Sequence, residues 1–153
     1  MSHRTNPPFR ADHVGSLLRP QKLLEARAEY QAGRLDDNGL RAIEDESIRD
    51  VVAMQEGVGL KAITDGEFRR EIWHYDFLCG LDGIELRADS QGPVFSGGYA
   101  AESLEVTSKI ANPTGVQLDH FKFLNETTKE TAKFCVPSPN LAYHRGGRAL
   151  ISE

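Results

Sequence analysis

Between positions 40 and 54, apolar side chains return every third or fourth residue: Leu40, Ile43, Val51 and Met54, with Ser47 on the same face. Glu44, Asp45, Arg49 and Asp50 fill the outward positions, and this period predicts an amphipathic helix. Asp36 or Asp37 can cap it, so the helix runs from there to about Glu56. Upstream, Pro20 opens a helical stretch over 21–32, because proline's missing N–H costs nothing in a first turn. Leu23, Leu24, Ala28 and the stem of Arg27 share its inward face, and Gly33 ends it. Gly57 and Gly59 stop the long helix, and Leu60-Lys61-Ala62-Ile63-Thr64 reads as a short buried strand. Before all of these, 9–14 reads as a first strand whose exit turn is Gly15-Ser16.

A further helix is expected over 67–78, carrying Phe68, Ile72, Tyr75 and Leu78. From Leu81 the pattern changes. Glycines gather at 92, 97 and 98, and residues 104–110 alternate in polarity as a strand does. Asn112-Pro113-Thr114-Gly115 is a turn, and Val116-Gln117-Leu118 is expected to return as the second arm of an antiparallel hairpin. Asp119 then caps a short helix to Thr127 or Thr128, with Phe121 and Leu124 inward. Residues 132–136 form a further strand of parallel type, stopped by Pro137-Ser138-Pro139, and a last helix starts near Asn140. Strands alternating with helices through short connections point to a parallel α/β fold.

Composition narrows the function classes. Hydrophobic residues make up 39% and charged residues 27%, which places the chain with globular proteins rather than disordered ones. The net charge of −5, without any lysine or arginine block, argues against a nucleic-acid or anionic-membrane surface. No apolar run approaches the roughly 20 residues that cross a bilayer. The first residues lack the apolar stretch of a signal peptide, so the cytoplasm is the expected compartment. Cys79 and Cys135 stand far apart, which writes neither a disulfide framework nor a zinc knuckle.

Three segments carry chemistry in order: Arg10-Ala11-Asp12-His13-Val14-Gly15-Ser16-Leu17-Leu18-Arg19-Pro20, Thr64-Asp65-Gly66-Glu67-Phe68-Arg69-Arg70, and Val136-Pro137-Ser138-Pro139. Together they resemble the cobalamin-independent methionine synthase family, and most closely its single-barrel 5-methyltetrahydropteroyltriglutamate–homocysteine methyltransferase-like relatives. The resemblance implies an α/β fold that is a partial TIM (β/α)8 barrel. A complete barrel takes about 250 residues, and the chain has 153. The whole chain, 1–153, is therefore expected to be an N-terminal barrel segment of about three βα units, with a hairpin inserted at about 81–118.

The resemblance also implies chemistry. The family moves a methyl group from 5-methyltetrahydrofolate (as its polyglutamate) to homocysteine, using Zn2+ to ionise the acceptor thiol. A free thiol, with pKa near about 8.5, is mostly protonated at neutral pH. The family's histidine, cysteine and glutamate zinc ligands sit on later barrel strands, so no metal ligand and no catalytic residue is assigned among these 153. What matches is the amino-acid-holding half. Gly15 and Ser16 correspond to the rim that receives the substrate carboxylate, and Glu67 to the glutamate that meets its ammonium. His13 and Asp65 are candidate substrate contacts on the same two rims.

Each of these residues also has a plainer reading. Gly15-Ser16 can be an ordinary strand-to-helix turn, and Glu67 can favour a helix start through the dipole. Asp65 can be an N-cap, and His13 a hydrogen-bonded structural residue. His74, without a metal-spaced partner, is read as structural, while Trp73 and Phe77 are core or flanking cover. Arg69 and Arg70 read as a solvated helix face, or as partners for a substrate carboxylate or polyglutamate tail. Arg145-Gly146-Gly147-Arg148 lacks the spacing of a phosphate loop.

The chain is accordingly expected to be a fragment or truncated family member, inactive alone. The alternatives are one piece of a split enzyme completed by another chain, a self-associating non-catalytic remnant, or a relative that alkylates another thiol such as coenzyme M. Retention of Glu67 favours an amino-acid thiol, because coenzyme M carries a sulfonate and no ammonium.

Overall fold

The computed structural model describes residues 6–88, 102–112 and 114–141. Along them run α1 (Gln21–Gln31), α2 (Asp37–Gly57), β1 (Ala62–Ile63), α3 (Tyr75–Leu78), β2 (Asp82–Ala88), β3 (Glu102–Ala111), α4 (Leu118–Thr127) and β4 (Thr131–Ala132). They fall into two compact units, one of Met1–Arg69 with Asp119–Cys135, the other of Arg70–Leu118 with Val136–Glu153.

In the first unit β1 and β4 pair in parallel, Ala62 opposite Thr131 and Ile63 opposite Ala132. Leu23 from α1, Ile48, Val51 and Val52 from α2, Ile63 from β1, Phe68, and Leu124 from α4 form one buried cluster. Each such side chain removed from water contributes about 1.5–3 kcal/mol, so this cluster is what fixes the helices on the strand pair. Asp36 caps α2, its carboxylate accepting from the Gly39 N–H at 2.8 Å.

Two helix faces differ from the periodicity. On α1 Leu23 and Ala26 are buried, while Leu24 and Ala28 face out. On α2 the buried stripe is Glu44, Ser47, Ile48, Val51, Val52 and Gln55, and Met54 is half exposed. Hydrophobicity alone puts Glu44 outside. It goes inside because two guanidinium groups meet it, Arg69 Nη1 at 3.3 Å and Arg27 Nη2 at 3.6 Å. Burial still pushes the Glu44 carboxyl above its ordinary range, against the pull of those arginines.

The second unit is built on an antiparallel ladder, with Ile84 opposite Val106 and Leu86 opposite Leu104, and an irregular register between Asp82 and Ile84. Leu78, Ile84 and Leu104 are its buried centre, with Tyr75, Phe77, Leu81 and Leu141 packed against them. His74 is buried between the rings of Trp73 and Tyr75, at centroid distances of 4.9 and 4.1 Å.

The hairpin therefore forms, but with a different second arm. β3 pairs back onto β2 rather than forward onto 116–118. The Val116 N–H is taken by the Asn112 side chain at 2.9 Å, and Leu118 already opens α4, so 116–118 is too short and too bent to pair. The expected helix over 67–78 shrinks to α3, because a tight turn occupies 65–68. The expected strand at 9–14 is absent among the described residues. That segment is tied down by side chains instead: Lys133 donates to the Asp12 carboxylate and the His13 carbonyl, and Cys135 Sγ donates to the Val14 carbonyl. The fold class is thus mixed α/β, with one parallel and one antiparallel pair and no closed barrel among the described residues. A helical turn begins at Asn140. The rest of that expected helix, the glycines at 92, 97 and 98, and Arg145 to Arg148 lie outside the described residues. No described helix is long and apolar enough to cross a membrane.

Candidate functional site

The second rim is a tight turn directly after β1. The Phe68 N–H reaches the Asp65 carbonyl at 3.3 Å, and the two residues between them, Gly66 and Glu67, have φ of +68° and +58°. Such a turn suits glycine at its first central position. A Cβ on Gly66 would also stand 2.8 Å from the Phe68 ring. Glu67 has no such exemption, and holding it left-handed costs on the order of 1 kcal/mol. Two bonds enforce it: the Asp65 carboxylate accepts from the Glu67 N–H at 2.9 Å, and Arg19 Nη2 donates to the Glu67 carbonyl at 3.0 Å. Arg27 Nη2 holds the next carbonyl, that of Phe68, at 2.6 Å. Asp65 is therefore the residue that bends the rim, and Glu67 stands on the turn rather than at a helix start.

The first rim lies against it. The Leu17 N–H donates to the Gly66 carbonyl at 3.1 Å, and Thr64 Oγ1 donates to the Gly15 carbonyl at 2.8 Å. Gly15 is buried at φ +126°, where a Cβ would stand 2.7 Å from Cys135 Sγ and 3.5 Å from Glu67 Oε1. Glycine is thus required twice over at 15, by its backbone angle and by the close approach of the thiol. Gly15, Glu67 and Cys135 come together here, while Ser16 is exposed beside them.

His13 sits half-buried behind this rim, its Nε2 3.0 Å from Gln55 Oε1. The His13 N–H and the Lys133 ammonium both bond the Asp12 carboxylate; the Lys133 bond is the larger cause holding that carboxyl below its ordinary range. On the other side, Arg69 is buried, with Nη2 2.6 Å from Asp45 and its guanidinium 4.8 Å from the centre of the Phe123 ring. Arg70 is buried too. The expectation of a solvated arginine face is overturned, because Glu44, Asp45 and Phe123 give Arg69 a fully furnished interior place. His120, at the start of α4, is held below the ordinary histidine value by burial; Asp119 and Asp65 pull the other way, and Arg69 and Arg41 add to the lowering.

Three contributors escaped the sequence reading. Cys135 was read only as lacking a disulfide or zinc-knuckle partner; that it reaches Gly15 depends on β4 pairing with β1. Gln55 carried no signal in the sequence, and Arg19 showed only as a member of the first motif. Among the described residues no three histidine, cysteine, aspartate or glutamate side chains stand together as metal donors. The residues of this rim pair do not fit zinc.

No family model matches the chain. Relatives do. "Uncharacterized protein YxjH" of Bacillus subtilis is 44% identical over 138 residues, covering 89% of this chain and 37% of that protein. "Methionine synthase" of Sulfurisphaera tokodaii is 30% identical over 130 residues, covering 82% of this chain and 37% of that protein. Among solved structures, the "Putative Vitamin-B12 Independent Methionine Synthase" of Listeria monocytogenes superposes with a TM-score of 0.74 at 41% identity, over 90% of this chain and 39% of that one. The chain spans about 37% of the length of these two sequence relatives. By sequence and by fold, the chain belongs to the cobalamin-independent methionine synthase family.

Proposed function

We propose that this chain supplies the amino-acid-gripping half of a methionine-synthase barrel site. In this reading β1 and β4 are barrel strands within about the first three βα units, and the second rim, with the first bonded against it, stands at the C-terminal end of β1, where barrel sites form. Gly15 and Ser16 receive the carboxylate of homocysteine, and the Glu67 carboxylate meets its ammonium through charge-assisted hydrogen bonds of about 1.5–3 kcal/mol. The observation that carries the reading is the Glu67 carboxylate oxygen lying 3.5 Å from the Cβ position of Gly15, on a residue held left-handed at φ +58°. Strain kept at a carboxylate facing a bare glycine is what a head-group clamp needs.

Asp65 serves by shaping the turn, and His13 by standing behind the Gly15 rim. Transfer of a methyl group from 5-methyltetrahydrofolate needs the thiolate, which zinc supplies in the family. This chain's own part is to bind and orient the amino acid, with the remaining barrel contributed by further polypeptide, in cis or as a complementing chain. The cytoplasm is the compartment this metabolic role calls for.

Calorimetric titration with L-homocysteine, 4-mercaptobutanoate and coenzyme M tests the reading and its runner-up. The thiols differ in their head groups: ammonium and carboxylate, carboxylate alone, and sulfonate. Binding of homocysteine alone is expected. Equal binding of 4-mercaptobutanoate removes the ammonium contact, preferred binding of coenzyme M favours the other thiol alkyltransferases, and binding of none overturns the clamp.

A further inference from the structure

Gln55 is buried near the end of α2 and makes four contacts with one amide group. Its Nε2 donates to the carbonyls of Thr64 at 2.8 Å and Val51 at 3.0 Å; its Oε1 accepts from the Thr64 N–H at 3.0 Å and faces His13 Nε2 at 3.0 Å. The contacts fix the amide's orientation, since a flip would set its NH2 against the Thr64 N–H and its oxygen against two carbonyls. Thr64 follows β1 directly and carries the second rim, and its N–H and C=O are both satisfied by a side chain, as a neighbouring strand would satisfy them. Because Gln55 Oε1 accepts only, the His13 nitrogen facing it must be the protonated one. Nδ1 is then the ring's acceptor, and it is enclosed, with no hydrogen-bond partner among the described residues.

We propose that Gln55 is a positioning residue for the head-group site: its amide stands in for a strand along Thr64 and fixes His13 as the Nε2–H tautomer. Through Thr64, whose hydroxyl holds the Gly15 carbonyl, the same amide ties the first rim to the second. Resting on the reading above, the amide's hold on Thr64 and His13 keeps the Gly15 rim in place to receive the amino acid's carboxylate. Gln55 thus acts on binding through the backbone of the two rims, without touching the ligand.

The test is long-range 1H–15N spectroscopy of the labelled chain at about pH 9, where an ordinary imidazole is neutral. The His13 signals are identified by their loss in His13→Gln. The expected pattern is a bare Nδ1 and an Nε2 proton protected from exchange. Gln55→Met should remove that protection and weaken L-methionine binding by about 10-fold. Gln55→Glu, which keeps an acceptor atom, should retain the protected Nε2 proton; it also serves where Gln55→Met fails to fold. A protonated Nδ1 in the unsubstituted chain, unchanged protection in Gln55→Met, or lost protection in a folded Gln55→Glu each overturns the inference. The two readings fail separately. The predicted tautomer without methionine binding sinks the head-group site alone, and methionine binding with Nδ1 protonated sinks only the role of Gln55.

Discussion

Glu67 holds a left-handed backbone angle that glycine would take at no steric cost. Glu67→Gly should therefore leave the urea midpoint unchanged or higher, while L-methionine binding is lost; a large fall in midpoint would show that the carboxylate serves stability instead. Gly15 is the opposite case. Gly15→Ala brings a methyl to 2.7 Å from Cys135 Sγ at φ +126°, and a loss of about 1–3 kcal/mol in chemical denaturation is expected. His120 sets a pH dependence. Its folded value lies below the ordinary 6.5, so the unfolded chain binds the proton more tightly. That part of the stability is complete above about pH 6.5 and falls as the pH drops through the lowered folded value. Denaturation midpoints at about pH 7.5 and about pH 5.5 should differ less in His120→Gln than in the parent chain, and an equal difference would exclude His120 as the source.

Among the elements, the salt-bridged side of α2 carries more than its sequence shows. Glu44 joins Arg27 and Arg69, and both arginines belong to the structure that holds the 65–68 turn, Arg27 through the Phe68 carbonyl. Glu44→Leu leaves one buried and one partly buried guanidinium group short of a partner, and a loss of about 3–5 kcal/mol is expected by urea titration. A change near zero would mean that Asp45 compensates. The helix itself was legible from Leu40, Ile43, Ser47 and Val51, as was its stop at the glycines, while its cap was narrowed only to Asp36 or Asp37. Glu44 and Gln55 were not, since a hydrophobic period cannot show which polar groups will find partners inside. The hairpin's existence showed in the alternation of 104–110, but its pairing partner did not, because register depends on contacts distant in sequence. Of the site, Gly15 and Glu67 were visible through the family motif. Their closeness, and the place of Cys135 between β4 and Gly15, depend on the parallel pairing of β1 with β4.

At the scale of the whole molecule, the chain spans about 37% of the two sequence relatives named above, and among the described residues its parallel sheet is two strands of two residues. Val14 and Leu18, beside the first rim, are 84% and 96% exposed. Apolar residues so placed, next to an open strand pair, predict self-association or capture of a complementing chain. Sedimentation of the purified chain should report a species larger than one 153-residue polypeptide; a stable monomer would contradict this. On the proposed reading, two loops on one small α/β unit grip an amino acid by both ends of its head group. Calorimetric titration of L-methionine into the parent chain and into Glu67→Ala tests it most directly. Saturable binding by the first and none by the second is the predicted result, and equal affinity in the two would contradict the account.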